Sequence, residues 1–474
     1  MAAISFASLP KEIWLDIGQV MPQTDLLVLS LVNKALRDVA QSHLYASIKL
    51  KWNQQCNPPI MLLLRSLLER PDLACWIRSL RLEGSWFVRA QGGIAPHPNR
   101  LPNVIALPAN EVSAAVNSVG TSSDTAQAWI EMLQSGNADA SVALLISLLP
   151  RLSSLLICRN WGRESRFFGA LFRAALRNKD RNEGRLPSFG LLNCVSLWPR
   201  LDHDGHRHPE NTHAALALFY LPTIERLSVS IDNPIQFSWP FPTPPNPSSL
   251  TCLRLYRIRE CRLEPLLSAL GNLQKLYYKW FYQEDIDVEV SEAILRLDVM
   301  AAAIVKCSKT LMTLEIESET QPATSMGMYE PPDVDLQGSL QEFSRLHKLQ
   351  TLQVPWVFLM GMEKTLPNGR IAMVLPLHLE HLTLTGDLGN SEYYEWEDES
   401  IIRAIESELE SGAIAMLKSL KGICLPFSVY GNSPSRAALN ERCQSKLNQL
   451  GDRFNLELMN DSERSEFQGF EIFI

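Results

Sequence analysis

The chain has 474 residues, more than the ~250–300 over which one hydrophobic core usually grows, so several units or an extended repeat are expected. Its apolar share of 46% and charged share of 20% are those of a globular protein and weigh against extended disorder. A formal net charge of −8 argues against a nucleic-acid binder, whose affinity comes largely from Lys and Arg neutralising phosphates, so no nucleic-acid partner is expected.

The first residues, Met1 to Ala7, lack the basic start and long apolar core of a secretory signal. No run of about 20 uncharged apolar residues occurs, so no membrane association is expected. Nine cysteines are scattered without paired spacings. Cys158, Cys194, Cys252 and Cys424 sit inside apolar runs, where a reduced thiol acts as a small hydrophobe. That usage fits a reducing compartment, and a cytoplasmic or nuclear location is expected.

Three short helices are predicted in the first fifty residues. The first follows Leu9 and Pro10, with Pro10 suited to a first turn and Glu12 facing the positive end of the dipole. Ile13, Ile17 and Val20 follow at helical spacing. Met21-Pro22-Gln23-Thr24 breaks that helix, and Thr24 is available to cap the next one, which restarts at Asp25 and runs to Val32. The third spans Lys34 to about Leu44 and presents Leu36, Val39, Ala40 and Leu44. So small a unit cannot hide this much apolar surface, and a partner or the adjoining domain must cover it.

The order Leu9-Pro10-x-Glu12-Ile13, Ile17, Asp25-Leu26-Leu27-x-Leu29-Ser30-Leu31-Val32-Asn33-Lys34-x-Leu36-Arg37, then Leu44-Tyr45, resembles the F-box, here over residues 4–48. The resemblance implies binding to the Skp-type adaptor of cullin–RING ubiquitin ligases. It also implies that Leu9, Pro10, Ile13, Ile17, Leu26, Leu29 and Val32 lie at or directly behind the adaptor interface. The chain departs from the family with Asn33 where Cys is frequent and Leu36 where Trp is frequent.

A helix over Pro59–Glu69 leads through Pro71 into a phrase that keeps returning: apolar, two residues, apolar, one residue, apolar. It begins at Ile77, Leu152, Ile224, Leu250, Leu273, Leu311, Leu349, Leu379 and Leu420, with a weaker copy at Leu192. This is the strand portion of a leucine-rich repeat, in which alternate side chains point inward. The central residues Leu227, Leu253, Leu276, Leu314, Leu352 and Leu382 lie 23 to 38 residues apart, so some repeats need insertions. Helical patterns at Ser291–Lys306, Ser400–Lys418 and from Ser433-Pro434 fill the gaps. The expected fold class is α/β: a three-helix F-box, then an irregular leucine-rich-repeat-like α/β solenoid or horseshoe over 58–474. The Gly-, Pro- and Ser-rich stretch at about 89–124 is expected to be a flexible insertion, and the apolar end from Phe467 to close the last repeat.

Few residues present chemistry. Asp202, His203, Asp204, His206, His208 and His213 concentrate possible zinc or iron ligands, but their spacing matches no established ligand set, and a hydrated loop is expected. Pro240 to Pro247 suits polyproline II, and Glu392 to Glu399 combines acid with three aromatics. Phosphate-binding, nucleophile-elbow and paired-cysteine motifs are missing, so no catalytic residues, cofactor or metal are expected. The expectation is a non-catalytic substrate receptor of a Skp–cullin–F-box ubiquitin ligase, with the adaptor, cullin and a protein target as partners. On the repeat reading, Arg81, Glu83, Arg254, Tyr256, Tyr277, Lys279, Glu315, Glu317, Thr383 and Thr385 form the target surface. A ligase-independent scaffold and a metal-dependent hydrolase built on His203–His213 are the rival readings.

Overall fold

Prolines set the two helix starts at the amino end. In a computed structural model of the chain, α1 (Lys11–Val20) follows Pro10, whose carbonyl accepts from Ile13 and Trp14 N–H at 3.1 and 3.3 Å. α2 (Gln23–Val32) likewise follows Pro22, so Thr24 lies inside this helix and is not its cap. Asn33 breaks the chain and caps α3 (Lys34–Leu44), its side chain accepting from Leu36 N–H at 2.9 Å. Trp14, Leu26, Leu29, Leu36, Val39 and Ala40 form the small core of this trio.

The structure describes residues 10–53, 56–84, 99–162, 164–177, 189–197, 209–284, 286, 288–323, 332–364, 370–427 and 434–460. The chain divides into two compact units: 1–199 with 207–224, and 200–206 with 225–474. Both are α/β, and within each unit the strand ladders are parallel among the described residues.

The first unit contains the helical trio. After it come β1 (Ser47–Trp52), α4 (Ile60–Glu69), α5 (Pro71–Ala74), β2 (Ser79–Gly84), α6 (Ala109–Ser118), α7 (Ser123–Gln134) and α8 (Ala138–Ser147). β3 (Ser154–Ile157), α9 (Arg166–Arg177), β4 (Cys194–Leu197) and α10 (Pro209–Ala217) complete it. The four strands pair in chain order, with Leu50 beside Leu82, Leu80 beside Leu155, and Leu155 beside Val195. Helix α8 is buried from Ala138 to Ile146, the pattern of a helix covered on all sides. Its Asp139 accepts from the N–H groups of Phe167 and Phe168 at 2.6 and 3.2 Å, which ties α8 to the first turn of α9.

One expectation is corrected here. The stretch read as an insertion at about 89–124 contains α6 and the capped start of α7, where the Ser122 side chain accepts from Thr125 N–H. Val112, Val116 and Val119 are buried at helical spacing, and the intervening Ser, Ala and Asn residues obscure that stripe.

The second unit runs through β5 (Arg226–Ser230), β6 (Cys252–Tyr256), α11 (Leu263–Leu267), β7 (Lys275–Gln283), β8 (Ile294–Arg296), α12 (Leu297–Val305) and β9 (Thr313–Gln321). It continues with β10 (Asp335–Gln337), β11 (Thr351–Pro355), α13 (Trp356–Met360), α14 (Arg370–Val374), β12 (His381–Thr385), α15 (Asp398–Glu410), β13 (Gly422–Leu425), α16 (Pro434–Phe454) and β14 (Glu457–Asn460). The order across its sheet is β5-β6-β7-β9-β11-β12-β13-β14, while β8 and β10 pair separately.

Leu227, Leu253, Leu276, Leu314, Leu352, Leu382, Ile423 and Leu458 stand in one register row and are all buried. The helix expected over 291–306 is shorter, because residues 294–296 pair as β8 first. The one expected over 400–418 stops at Glu410, where Gly412 takes a φ of +73°, a helix-ending conformation open to glycine.

Candidate functional site

Most of the residues singled out by sequence lie on the helical trio of the first unit and on the sheet of the second, with Arg81 and Glu83 on the sheet of the first. On the helical trio, Leu26 and Leu29 point into its core, Ile17 is half-buried, and Pro10, Ile13 and Val32 are exposed. Leu9 lies outside the described residues. Beside these, Val20, Leu27, Val28 and Leu31 are more than half exposed, up to 82% at Val20. The interface set read from the sequence leaves these four out. The signal was available: α2 has apolar residues at 26, 27, 28, 29, 31 and 32, more than a single buried stripe can absorb.

On the sheet of the second unit, residues alternate between the apolar row and a polar face. Across that face, Ser228, Arg254, Tyr277, Glu315, Gln353 and Thr383 stand side by side. A second row places Ser230, Tyr256, Lys279 and Glu317 next to one another. The Arg254 guanidinium lies 5.3 Å from the Tyr277 ring centroid, and the rings of Tyr256 and Tyr277 are 5.7 Å apart.

Lys279 Nζ meets Glu319 at 2.7 Å and Glu317 at 3.5 Å. Burial works against the Lys279 ammonium, but these carboxylates outweigh it and its pKa rises. Burial pushes the Tyr277 phenol up, and Glu317 adds to the shift. The face is therefore cationic and aromatic on β6 and β7 and acidic on β9. In the first unit, Arg81 and Glu83 bond at 2.8 Å, and Lys49 from β1 joins Glu83 at 2.9 Å.

The expected target positions need one correction. Tyr256, Thr383 and Thr385 are buried, because neighbouring strands crowd the short side chains and Tyr256 lies against Tyr277. Arg81, Glu83, Arg254, Tyr277, Lys279, Glu315 and Glu317 are half-buried and keep part of their surface open.

The remaining candidates fare unevenly. His203, His206 and His208 lie outside the described residues, and His213 is exposed on α10. Among the described residues no group of three or more His, Cys, Asp or Glu could hold a metal. The proline stretch bends, with Pro245 and Pro247 buried, so it is no free polyproline ligand. In the acidic stretch only Tyr393 is a well exposed aromatic. Trp396 is buried edge-on against Trp356 at 5.1 Å and donates to Gly361 O at 2.9 Å.

No helix among the described residues is long and apolar enough to cross a membrane. No protein-family model matches the chain, and no curated protein matches it.

Proposed function

We propose that the chain is a non-catalytic substrate receptor of a Skp–cullin–F-box ubiquitin ligase. In this reading α1 to α3 form an F-box that docks on the Skp-type adaptor, and the parallel sheets are an irregular leucine-rich-repeat-like array that captures a protein target. The uncovered apolar side chains of α1 and α2 carry the proposal. Water contact at Val20, Leu27, Val28, Leu31 and Val32 is unfavourable, and burying a side chain of this size stabilises by about 1.5–3 kcal/mol. Several large apolar side chains left exposed on two neighbouring helices are what a protein-binding surface offers.

The sequence order around Leu26-Leu27-x-Leu29-Ser30-Leu31-Val32 names the partner by its resemblance to the F-box. Target capture falls to the half-buried Arg254, Tyr277, Lys279, Glu315 and Glu317 of the second unit, whose mixture of arginine, tyrosine and opposite charges suits a specific protein contact. Chemistry then comes from the ligase by proximity.

The test is co-expression of the full chain with a Skp-type adaptor. The wild type is expected to co-purify as a stable complex. Val28→Asp with Leu31→Asp is expected to abolish the complex while leaving the circular-dichroism melting curve in place, since both side chains are exposed. A well-folded wild type that fails to hold the adaptor overturns the ligase role and leaves a ligase-independent scaffold.

A further inference from the structure

β9 is nine residues long, yet β11 accompanies it only over Thr313 to Glu315 before turning away into α13. The exposed edge of β9 is met instead by the loop after β12, where Asp387 Oδ2 accepts from Ser318 N–H at 2.8 Å. A cavity of about 270 Å³ remains beside it, lined by Ser318 and Glu319 on one side and Asp387, Asn390 and Ser391 on the other. It lies beside the last residues of β9 and past the carboxyl ends of β11 and β12.

Charge at this place is unbalanced. Glu319 and Asp387 line the cavity, and Asp333 stands at its rim, accepting from Ser391 Oγ at 2.7 Å. Among the described residues lining the cavity there is no Lys, Arg or His. The nearby ammonium of Lys279 is already divided between Glu317 and Glu319. A separate observation points the same way: Ser318 is 6% exposed and lines the cavity, and its hydroxyl meets no hydrogen-bond partner. A buried hydroxyl left unsatisfied is costly, and an entering donor would relieve it.

We propose that this cavity is a socket for an alkylammonium group, supplied by a lysine side chain or the amino terminus of a protein partner. Calling that partner a ligase target rests on the function proposed above; the socket itself stands on its own residues. A single divalent ion fits worse, since among the described residues no three His, Cys, Asp or Glu side chains could hold one, and the space far exceeds one ion. Met362, Val334 and Leu388 add an apolar wall against which a methylene stem can lie. Burial and the field of Glu317 hold the Asp387 carboxyl up at about 6, partly opposed by Ser318 N–H and Lys279. An ammonium in the cavity would add to the partial compensation that Lys279 gives it.

The experiment titrates the full chain with Nα-acetyl-lysine methylamide by calorimetry at pH 7.5. Alanine methylamide serves as the amino-terminus probe, with the Nε-acetylated lysine amide and calcium chloride as controls. Binding of one charged amine with a Kd of about a millimolar is expected, and no binding of the acetylated form. Which amine binds identifies the source. Asp387→Asn and, independently of that variant's folding, Glu319→Gln are each expected to weaken binding about tenfold or more.

Lowering the pH from 7.5 to 5 is expected to weaken it too, as Asp387 takes up its proton among Glu317, Glu319, Asp333 and Lys279. Equal binding of the acetylated probe overturns the proposal, as does unchanged affinity in both variants, or binding of calcium without either amine. The titration needs no adaptor, so its failure leaves the adaptor complex standing, and loss of that complex leaves the socket standing.

Discussion

Arg259 and Glu260 show what a buried charge can do when every bond is used. Both are at most 2% exposed, and Arg259 Nε donates to Glu260 Oε2 at 3.0 Å. The rest of the guanidinium donates to Ser291 Oγ at 2.7 Å, Glu292 O at 3.0 Å and Ile294 O at 2.6 Å. Trp280 Nε1 donates to the same Glu260 oxygen at 2.9 Å, and its ring lies 4.7 Å from the guanidinium carbon. Removing one charge of such a pair strands the other in a dry interior. Glu260→Gln is therefore expected to cost about 3–5 kcal/mol, read as a lowered urea midpoint by tryptophan fluorescence. An unmoved midpoint would mean that water reaches the pair. None of this was legible in the sequence, because the partners of Arg259 and Glu260 come from residues 280 to 296 and only the fold assembles them. The same gap between pattern and packing hid the burial of Tyr256.

At the scale of elements, the repeat was readable and its decoration was not. All ten phrases, from Ile77 to Leu420, mark a strand of the parallel sheets, because each supplies three buried apolar positions that no solvated loop tolerates. β1 and β14 escaped detection. Ser47-Ile48-Lys49-Leu50-Lys51-Trp52 alternates without the phrase, and Glu457-Leu458-Met459-Asn460 is too short to show a period. The candidate face divides the same way: alternation identified Arg254, Tyr277, Lys279, Glu315 and Glu317, whereas the cavity beside β9 depends on where β11 leaves it. Helix-to-helix ties are equally invisible in one dimension. Asp139→Ala would leave Phe167 and Phe168 N–H without their acceptor in a buried place, and it is expected to cost about 1–3 kcal/mol. Thermal melting checks this; a loss smaller than that of an exposed-surface control such as Glu111→Ala refutes it.

For the whole molecule, the thiols give a global readout of the packing. All nine cysteines are in the thiol form, and Cys194, Cys252, Cys307, Cys424 and Cys443 are buried. Burial pushes the Cys252 thiol up to about 11 and Cys307 to about 12, so neither forms the reactive thiolate near neutrality. Iodoacetamide at pH 8, followed by peptide mass spectrometry, is expected to label Cys56 and Cys75 first and the five buried thiols only in denaturant. Rapid native labelling of Cys307 would contradict this packing. β1 has a further consequence at this scale. Its outer flank meets no other strand among the described residues, and a bare flank of backbone donors and acceptors invites foreign chains to add on. Lys49 on that strand is paired with Glu83, whereas the exposed Lys51 brings a charge that a second copy laid alongside would have to meet with its own.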